Sequence, residues 1–167
     1  MDFDQIFSEH ANMIFRICML NLRNEQDAWD VVQDTFLKFL EKKDSIRENE
    51  HAKAWLIRVA VNRCTDIHRS RANHPVVSMD ELEKFTTDPE EIDILSEVMQ
   101  LPEKYQIVVY LHYIEGYRVK EIARILHISE FTVKKRLQRG REQLKLSIEQ
   151  EEGGISCRRE NSLMQLV

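Results

Sequence analysis

Residues that interrupt helices are scarce in this sequence, which has only four glycines and three prolines among its 167 residues. Glycine and proline are the residues that most destabilise a helix interior, and they also mark many turns. Between them the sequence is rich in leucine, glutamate, lysine, arginine and glutamine, all of which favour helices. The composition therefore predicts an all-α protein.

No apolar run approaches the roughly 20 residues that a helix needs to span a bilayer. The N-terminus also lacks the apolar stretch of a signal peptide, because Asp2, Asp4, Glu9 and Arg16 interrupt it. We therefore expect a cytoplasmic protein with no membrane insertion.

The sequence also lacks the common motifs of metal sites and enzymes. Cys18, Cys64 and Cys157 are far apart and form no Cys-x-x-Cys pair, so we predict neither a zinc site nor a disulfide, and free buried thiols at Cys18 and Cys64. The sequence contains no nucleophile elbow and no phosphate-binding loop. Its six histidines are scattered, at His10, His51, His68, His74, His112 and His127. We expect no cofactor, no catalytic residue and no enzyme.

Charge is segregated along the chain, whose formal net charge is -5. Binding to nucleic acid requires local positive potential, so the distribution of basic residues matters more than their sum. Acidic residues gather in the middle, at Asp80, Glu81, Glu83, Asp88, Glu90, Glu91, Asp93 and Glu97. Basic residues gather later, at Lys134, Lys135, Arg136, Arg139 and Arg141. The later segment could therefore form a basic patch for nucleic acid.

Apolar residues at three- and four-residue spacing predict three helices in the first 70 residues. The first starts at Phe3, and Asn24 can cap a second that runs to about Leu40. The charged segment Glu41 to Glu50 predicts a loop before a third helix from about His51 to Arg69. One side of that third helix carries Trp55, Arg58, Asn62, Thr65, Asp66 and Arg69. Such a side suits unstacked nucleotides, although a tryptophan taken alone is more often a core residue.

The composition changes at residues 72–75, where an acidic linker begins. A second helical domain follows, with Asp88-Pro89 as a helix start and Leu101-Pro102 restarting a helix through His112, which Gly116 ends in a left-handed conformation. We therefore divide the chain into a domain at residues 1–71, a flexible linker at 72–88, a domain at 89–150 and a tail at 151–167 that we expect to be disordered.

A helix-turn-helix is predicted inside the second domain. The inner face of its first helix is formed by Val119, Ile122, Ala123 and Leu126. Ser129 is a good cap for the next helix, in which Val133, Leu137 and Leu144 point inward. The opposite side carries Phe131, Lys135, Gln138 and Glu142, flanked by Lys134 and Arg139. A basic run alone is usually a solvated face, but on the second helix of such a pair it favours contact with the major groove.

Five segments together carry a resemblance to a known family. Residues 30–36 (DVVQDTF) and 54–63 (AWLIRVAVNR) resemble the second conserved region of extracytoplasmic-function sigma factors. Residues 101–105 (LPEKY), 121–123 (EIA) and 132–141 (TVKKRLQRGR) resemble the fourth region. The resemblance covers roughly residues 3–146, and it departs from the family at Gly140, where alanine or another small residue is usual.

The resemblance implies an RNA polymerase sigma factor that binds core polymerase and directs promoter-specific transcription initiation. Contacts with the clamp of the largest subunit would come from Asp30, Val31, Val32, Gln33, Asp34 and Phe36, and the flap region would be a further contact. The first domain would recognise and melt the minus-ten element through Trp55, Arg58, Asn62, Arg63, Asp66 and Arg69. The second would read the minus-thirty-five element through Thr132, Lys134, Lys135, Arg136, Gln138 and Arg139.

The same resemblance implies an anti-sigma factor as a partner and a linker that threads through the polymerase, where its negative charge can mimic nucleic acid. Solvated tethering is the simpler reading of that linker. A different class of protein is also open: a helix-turn-helix regulator that works without polymerase. That alternative leaves residues 30–36 and 55–63 unexplained.

Overall fold

Helical segments form two units in the computed structural model, Met1–Ser78 and Met79–Val167, and each unit is considered by itself. The structure describes residues 2–70 and 89–152, with side chains for 2–70 and 94–145. The predicted linker at 72–88 lies outside the described residues. Every regular element within the described ranges is a helix, which confirms the predicted all-α class.

The first unit consists of α1 (Phe3–Leu22), α2 (Glu25–Lys42) and α3 (Asn49–Ser70). Arg23 ends α1 in a left-handed conformation with φ 51°, and its amide donates to the carbonyl of Met19 at 2.9 Å. Asn24 then caps α2 as predicted, because its Oδ1 accepts a hydrogen bond of 2.9 Å from the amide of Asp27. Two residues are therefore enough to connect α1 with α2.

The three helices share one apolar core. Its centre contains Ile14, Ile17 and Cys18 of α1, all with an exposed fraction of 0%. The other two helices contribute Ala28, Val31, Val32, Phe36, Phe39, Leu56, Ile57, Ala60 and Cys64. Cys18 and Cys64 are free and buried, as predicted. Most of these core residues recur at the predicted three- and four-residue spacing, although Phe7 of α1 and Leu40 near the end of α2 are exposed.

The segment predicted as a loop from Glu41 to Glu50 is shorter than expected. Helix α2 continues to Lys42, a 3-10 turn occupies Lys43–Ser45, and α3 begins at Asn49. Ile46 is buried at 4% exposure and anchors the remaining connection. The 3-10 turn is closed by local hydrogen bonds, from Ser45 Oγ to the carbonyl of Lys42 and from the amide of Ile46 to the carbonyl of Lys43.

Asn49 supplies the contact that holds the start of α3. Its Oδ1 accepts a hydrogen bond of 2.8 Å from His10 Nε2, and its Nδ2 donates to Glu9 Oε2 at 2.9 Å. Hydrogen bonds to the Glu9 carboxylate from Gln5 and then from Asn49 lower the pKa of Glu9. The two hydrogen bonds of Asn49 join residues about 40 positions apart, so a local sequence pattern cannot predict them.

The second unit consists of α4 (Pro89–Gln100), α5 (Glu103–Val109), a π-helical turn (Tyr110–Ile114), α6 (Val119–Leu126) and α7 (Glu130–Glu152). Pro89 is the first residue of α4, as predicted. Gln106 is buried and its Nε2 donates to the carbonyls of Met99 (2.9 Å) and Leu101 (2.7 Å), which satisfies the end of α4.

The helix that was expected to run through His112 changes its winding before that residue. The α-helical part ends at Val109, and His112 lies in the π-helical turn, where its Nδ1 donates to the carbonyl of Tyr117 at 2.8 Å. Gly116 has φ 75° and follows this turn, so the predicted left-handed glycine is confirmed.

Gly140 allows α7 to approach α5 closely. A Cβ atom added at Gly140 would lie 2.7 Å from Cγ2 of Val109, whose side chain is fully buried. The weak helix propensity of this glycine, worth about 1 kcal/mol relative to alanine, is therefore offset by the packing that its missing side chain permits.

Helix α7 extends further than predicted. It ends at Glu152, so Glu151 and Glu152 are helical rather than part of a disordered tail, and residues 153–167 with Cys157 lie outside the described residues. A basic and glutamate-rich helix can continue past its last packed residue without apolar periodicity. None of the helices in residues 2–70 and 89–152 has the length and apolar character needed to cross a membrane.

Candidate nucleic-acid and polymerase interface

Two helices of the second unit meet at a tight turn. Helix α6 starts with a hydrogen bond of 2.8 Å from the amide of Arg118 to Glu121 Oε2, and it ends at Leu126, just before the left-handed residue His127 with φ 53°. Ser129 caps α7, as predicted, because its Oγ accepts a hydrogen bond of 3.0 Å from the amide of Thr132. The predicted helix, turn and helix are therefore present, with the turn fixed at both of its ends.

Helix α7 separates a buried side from a polar side. Val133, Leu137 and Leu144 are buried at 0%, 2% and 1% exposure, as the apolar spacing predicts. Of the six residues predicted for the minus-thirty-five element, four are exposed and two are partly buried. The exposed ones are Lys134, Lys135, Gln138 and Arg139, and the partly buried ones are Thr132 and Arg136.

We call the exposed residues Phe131, Lys134, Lys135, Gln138, Arg139 and Glu142 the outward row of α7. Within it, Gln138 Nε2 donates to Glu142 Oε1 at 3.1 Å, one helical turn away. Arg141 belongs to a different environment, because its NH1 donates to the hydroxyl of Tyr113 at 3.0 Å and ties α7 to the π-helical turn. The hydrogen bond from Arg141 to Tyr113 therefore helps to fix the helix that carries the outward row.

Phe131 received no role from the sequence, although its spacing places it on the outward row. Its side chain is 72% exposed, the largest fraction among the exposed large apolar residues of the described part. The Nζ of Lys135 lies 5.6 Å from the centre of its ring. The signal that could have singled it out is an aromatic residue two positions after a helix cap.

The predicted minus-ten residues lie along α3. Asn62, Arg63, Asp66 and Arg69 are exposed, while Trp55 and Arg58 are partly buried. The ring of Trp55 lies 6.1 Å from that of Phe39, so it also packs against α2. Trp55 therefore packs partly against the core and is partly exposed, so it lies between the two alternatives that the sequence allowed.

The predicted polymerase-binding residues of α2 divide by burial. Val31, Val32 and Phe36 are only 1%, 1% and 3% exposed, because they face the core of the unit. A partner cannot reach such side chains without opening the unit, whereas Asp30 and Gln33 are exposed and Asp34 is partly exposed. Spacing alone did not separate these faces among the six predicted residues.

Asp34 joins two of the predicted sets. Its Oδ2 lies 3.3 Å from Nε of Arg63 on α3 and 3.4 Å from Nζ of Lys38 on α2. A residue predicted to face polymerase is therefore paired with a residue predicted to face the minus-ten element.

A shallow depression of about 400 Å³ lies beside this acidic part of α2. It is lined by Glu25, Gln26, Trp29, Asp30 and Gln33. The ring of Trp29 lies 4.5 Å from that of Phe15, which holds one wall in position. Among the described residues no cluster of histidine, cysteine or carboxylate side chains could hold a metal ion.

Known protein families match both units. The family model described as Sigma-70 region 2 matches residues 6–74, and the one described as Sigma-70, region 4 matches residues 92–144. The "ECF RNA polymerase sigma factor SigM" of Mycobacterium tuberculosis is 29% identical over 161 residues, which cover 94% of this chain and 82% of the relative. The "ECF RNA polymerase sigma factor SigW" of Bacillus subtilis is 30% identical over 164 residues, covering 86% and 87%.

Two solved structures share the fold. The sigma factor RpoE of Bartonella quintana, in complex with the anti-sigma factor NepR, aligns with a TM-score of 0.68 and 21% identity over 89% of this chain and 97% of that one. CnrH, in complex with the cytosolic domain of CnrY, aligns with a TM-score of 0.64 and 25% identity over 89% and 88%. With both regions matched and a relative at 30% identity that is covered over 87% of its length, this chain belongs to the extracytoplasmic-function sigma factors of the sigma-70 family and acts as an RNA polymerase sigma factor in transcription initiation.

Proposed function

We propose that this protein binds core RNA polymerase and that its two units contact different promoter elements. The observation that carries the proposal is the outward row of α7, which exposes Lys134, Lys135, Gln138 and Arg139 on the second helix of a capped helix-turn-helix. Catalysis belongs to the polymerase in this proposal, and the chain supplies binding and selection only.

The second unit reads the minus-thirty-five element as duplex. Lys135, Gln138 and Arg139 face base edges in the major groove, where lysine, arginine and glutamine make the common specific contacts. Lys134 and Arg136 contact phosphates and fix the register, while Thr132 follows the cap beside them. The exposure of the four outward residues supports these roles, since none has to leave a packed position to reach DNA.

The first unit recognises and opens the minus-ten element. Asn62, Arg63, Asp66 and Arg69 offer exposed polar groups along α3, and Arg58 and Trp55 contribute a partly buried cation and ring. A base flipped out of the duplex moves towards the connection that contains Lys43–Ser45. Flipping costs a few kcal/mol, which stacking and polar contacts offset.

The clamp of the polymerase largest subunit binds the exposed side of α2. Asp30, Gln33 and Asp34 provide its polar contacts, and the depression beside Trp29 receives a side chain of the clamp. The flap region of polymerase binds the second unit, and the linker at 72–88 passes through the enzyme between these contacts.

An anti-sigma factor regulates the protein in this proposal. The support is that the RpoE and CnrH structures are complexes with NepR and with the cytosolic domain of CnrY. When it is bound to polymerase, the protein acts at the nucleoid. The anti-sigma factor keeps it from binding polymerase. A membrane-bound anti-sigma factor would also hold it near the membrane.

A reconstituted initiation assay tests the proposal. The protein is mixed with bacterial core polymerase and a pool of genomic promoter fragments, and open complexes and transcript starts are scored. We expect Asn62→Ala to reduce open-complex formation by about tenfold, the equivalent of one lost hydrogen bond to a base. The matched variant Asn12→Ala changes an exposed asparagine of α1 and should have no effect.

The duplex contact is measured separately through its salt dependence. Lys134→Ala should lower the slope of log affinity against log salt by about 1, as expected for one lost phosphate contact. Lys104→Ala removes the same charge from the exposed part of α5 and should leave the slope unchanged. Tight DNA binding without core polymerase, and no gain when core is added, would instead favour the polymerase-independent regulator.

A further inference from the structure

Phe131 presents an apolar surface where the rest of the outward row is polar. It is the second residue of α7 and 72% exposed, whereas Val133 two positions later is fully buried. An exposed phenylalanine ring contributes little to the core and keeps most of its apolar area available to a partner. A partner that uses this area would contact the first turn of α7.

The charges around the ring restrict the chemistry of that partner. The Nζ of Lys135 lies 5.6 Å from the ring centre, within the range of a cation–π contact, and Lys134 is exposed beside it. A purely apolar groove of another protein would have to desolvate these cations without pairing them. Duplex DNA instead offers phosphates and base acceptors for the cations together with one apolar group for the ring.

That apolar group is the 5-methyl of thymine in the major groove. In a helix-turn-helix the first residues of the second helix approach the base edges, and Phe131 occupies this part of α7. We propose that Phe131 is a specificity-determining residue that contacts a thymine 5-methyl group in the minus-thirty-five element. This inference rests on the proposed duplex reading by α7, and it adds selection of an A·T pair at one position.

Lys135 positions the ring for this contact. Its ammonium group holds one face of the ring from the next helical turn, which leaves the opposite face and the ring edge for DNA. The same ammonium can bind a guanine next to the thymine, in which case the two residues read adjacent positions.

The test replaces thymine by deoxyuracil, which lacks only the 5-methyl group. Holoenzyme with the full chain is bound to a promoter obtained from the initiation assay, in which each thymine of the minus-thirty-five element, on either strand, is replaced singly. We expect one replacement to weaken binding by about fourfold, the value of one buried methyl group. Phe131→Ala should bind the unmodified promoter about fourfold more weakly than wild type, and its binding should not change with that replacement. Phe131→Leu should retain part of the loss of affinity that the replacement causes in wild type.

Three results would overturn the inference. The wild-type protein could respond to none of the replacements, Phe131→Ala could respond as strongly as wild type, or Phe131→Ala could weaken binding to core polymerase in the absence of DNA. The first two outcomes are read beside Lys134→Ala: if that variant loses the expected salt slope, duplex reading stands and only the role of Phe131 fails. If Lys134→Ala has no effect, the proposed duplex reading fails as well.

Discussion

The two units present their predicted contact residues in different ways. In the second unit they lie along a single helix, and the outward row of α7 is fixed by the buried residues Val133 and Leu137 on the same helix. In the first unit they come from two helices, and Asp34 of α2 is paired with Arg63 of α3. A surface on one helix follows from helical periodicity, whereas a surface shared by two helices also requires their packing to be correct.

The largest effect should come from breaking the packing that holds α3 in the first unit. Leu56 is 0% exposed, so Leu56→Ala should lower the free energy of unfolding of this unit by about 2 to 5 kcal/mol. Urea unfolding followed by tryptophan fluorescence measures it selectively, because both tryptophans, Trp29 and Trp55, belong to the first unit.

The matched control changes the same residue type at the surface. Leu37 is 60% exposed on α2, and Leu37→Ala should change the free energy of unfolding by less than about 0.5 kcal/mol. Equal losses in the two leucine variants would contradict the assigned core.

A smaller effect should come from the close approach of α7 and α5 in the second unit. Gly140→Ala brings a Cβ to 2.7 Å from Val109 and should lower the free energy of unfolding by about 1 to 3 kcal/mol, despite the better helix propensity of alanine. Tyrosine fluorescence follows this unit, since all four tyrosines, Tyr105, Tyr110, Tyr113 and Tyr117, lie within it.

Repeating Gly140→Ala in a chain that carries Val109→Ala separates the steric clash with Val109 from the higher helix propensity of alanine. When Val109→Ala has removed Cγ2, adding Gly140→Ala should no longer destabilise and should instead gain up to about 1 kcal/mol. The same penalty on both backgrounds would show that Val109 is not the obstacle.

Local patterns were sufficient for the features that depend on neighbouring residues. The caps at Asn24 and Ser129 and the left-handed Gly116 each follow from a residue type at a helix end. The helix-turn-helix and the buried side of α7 follow from apolar spacing. These features describe most of the second unit's candidate surface.

Long-range contacts account for what the sequence could not predict. The start of α3 at Asn49 depends on His10 and Glu9 of α1, and the Asp34–Arg63 pair joins two helices. Burial of Val31 within the predicted polymerase set depends on which face of α2 meets the other helices. Residue spacing defines the faces of a helix but does not say which neighbour covers each one.

The thiols of the first unit should make its stability sensitive to alkaline pH. Burial raises the pKa of the Cys18 thiol, and a hydrogen bond with the Cys64 thiol raises it further. In the unfolded chain the Cys18 thiol ionises at the ordinary thiol pKa of about 8.5, whereas in the folded chain it stays protonated to higher pH. The contribution of this thiol to the free energy of unfolding should therefore be constant below this pH and fall above it, by at most about 1.4 kcal/mol per pH unit.

Urea unfolding by tryptophan fluorescence between pH 7 and 9.5 measures this slope. Cys18→Ala should reduce the slope, and the Cys18 thiol of the wild type should resist alkylation until the unit unfolds. A slope that Cys18→Ala leaves unchanged would assign the pH dependence to other groups.

The smallest effect should be the pairing of Asp34 with Arg63. Both side chains are substantially exposed, at 41% and 47%, so a double-mutant cycle of Asp34→Asn and Arg63→Gln should give a coupling free energy below about 1 kcal/mol. Measuring the cycle at low and high salt checks its electrostatic origin, since a screened surface pair should weaken with salt. A coupling of several kcal/mol would mean that the two predicted contact sets form one rigid surface.

The geometry of α7 also determines how such a protein can diverge. Each residue advances a helix by about 100°, so one residue inserted between Val133 and Leu137 would rotate the residues after it by that angle and move Leu137 and Leu144 away from the core. Substitutions on the outward row leave that core untouched. Substitutions on the outward row can therefore change what the helix recognises without disturbing the core, whereas insertions in this segment would destabilise the fold.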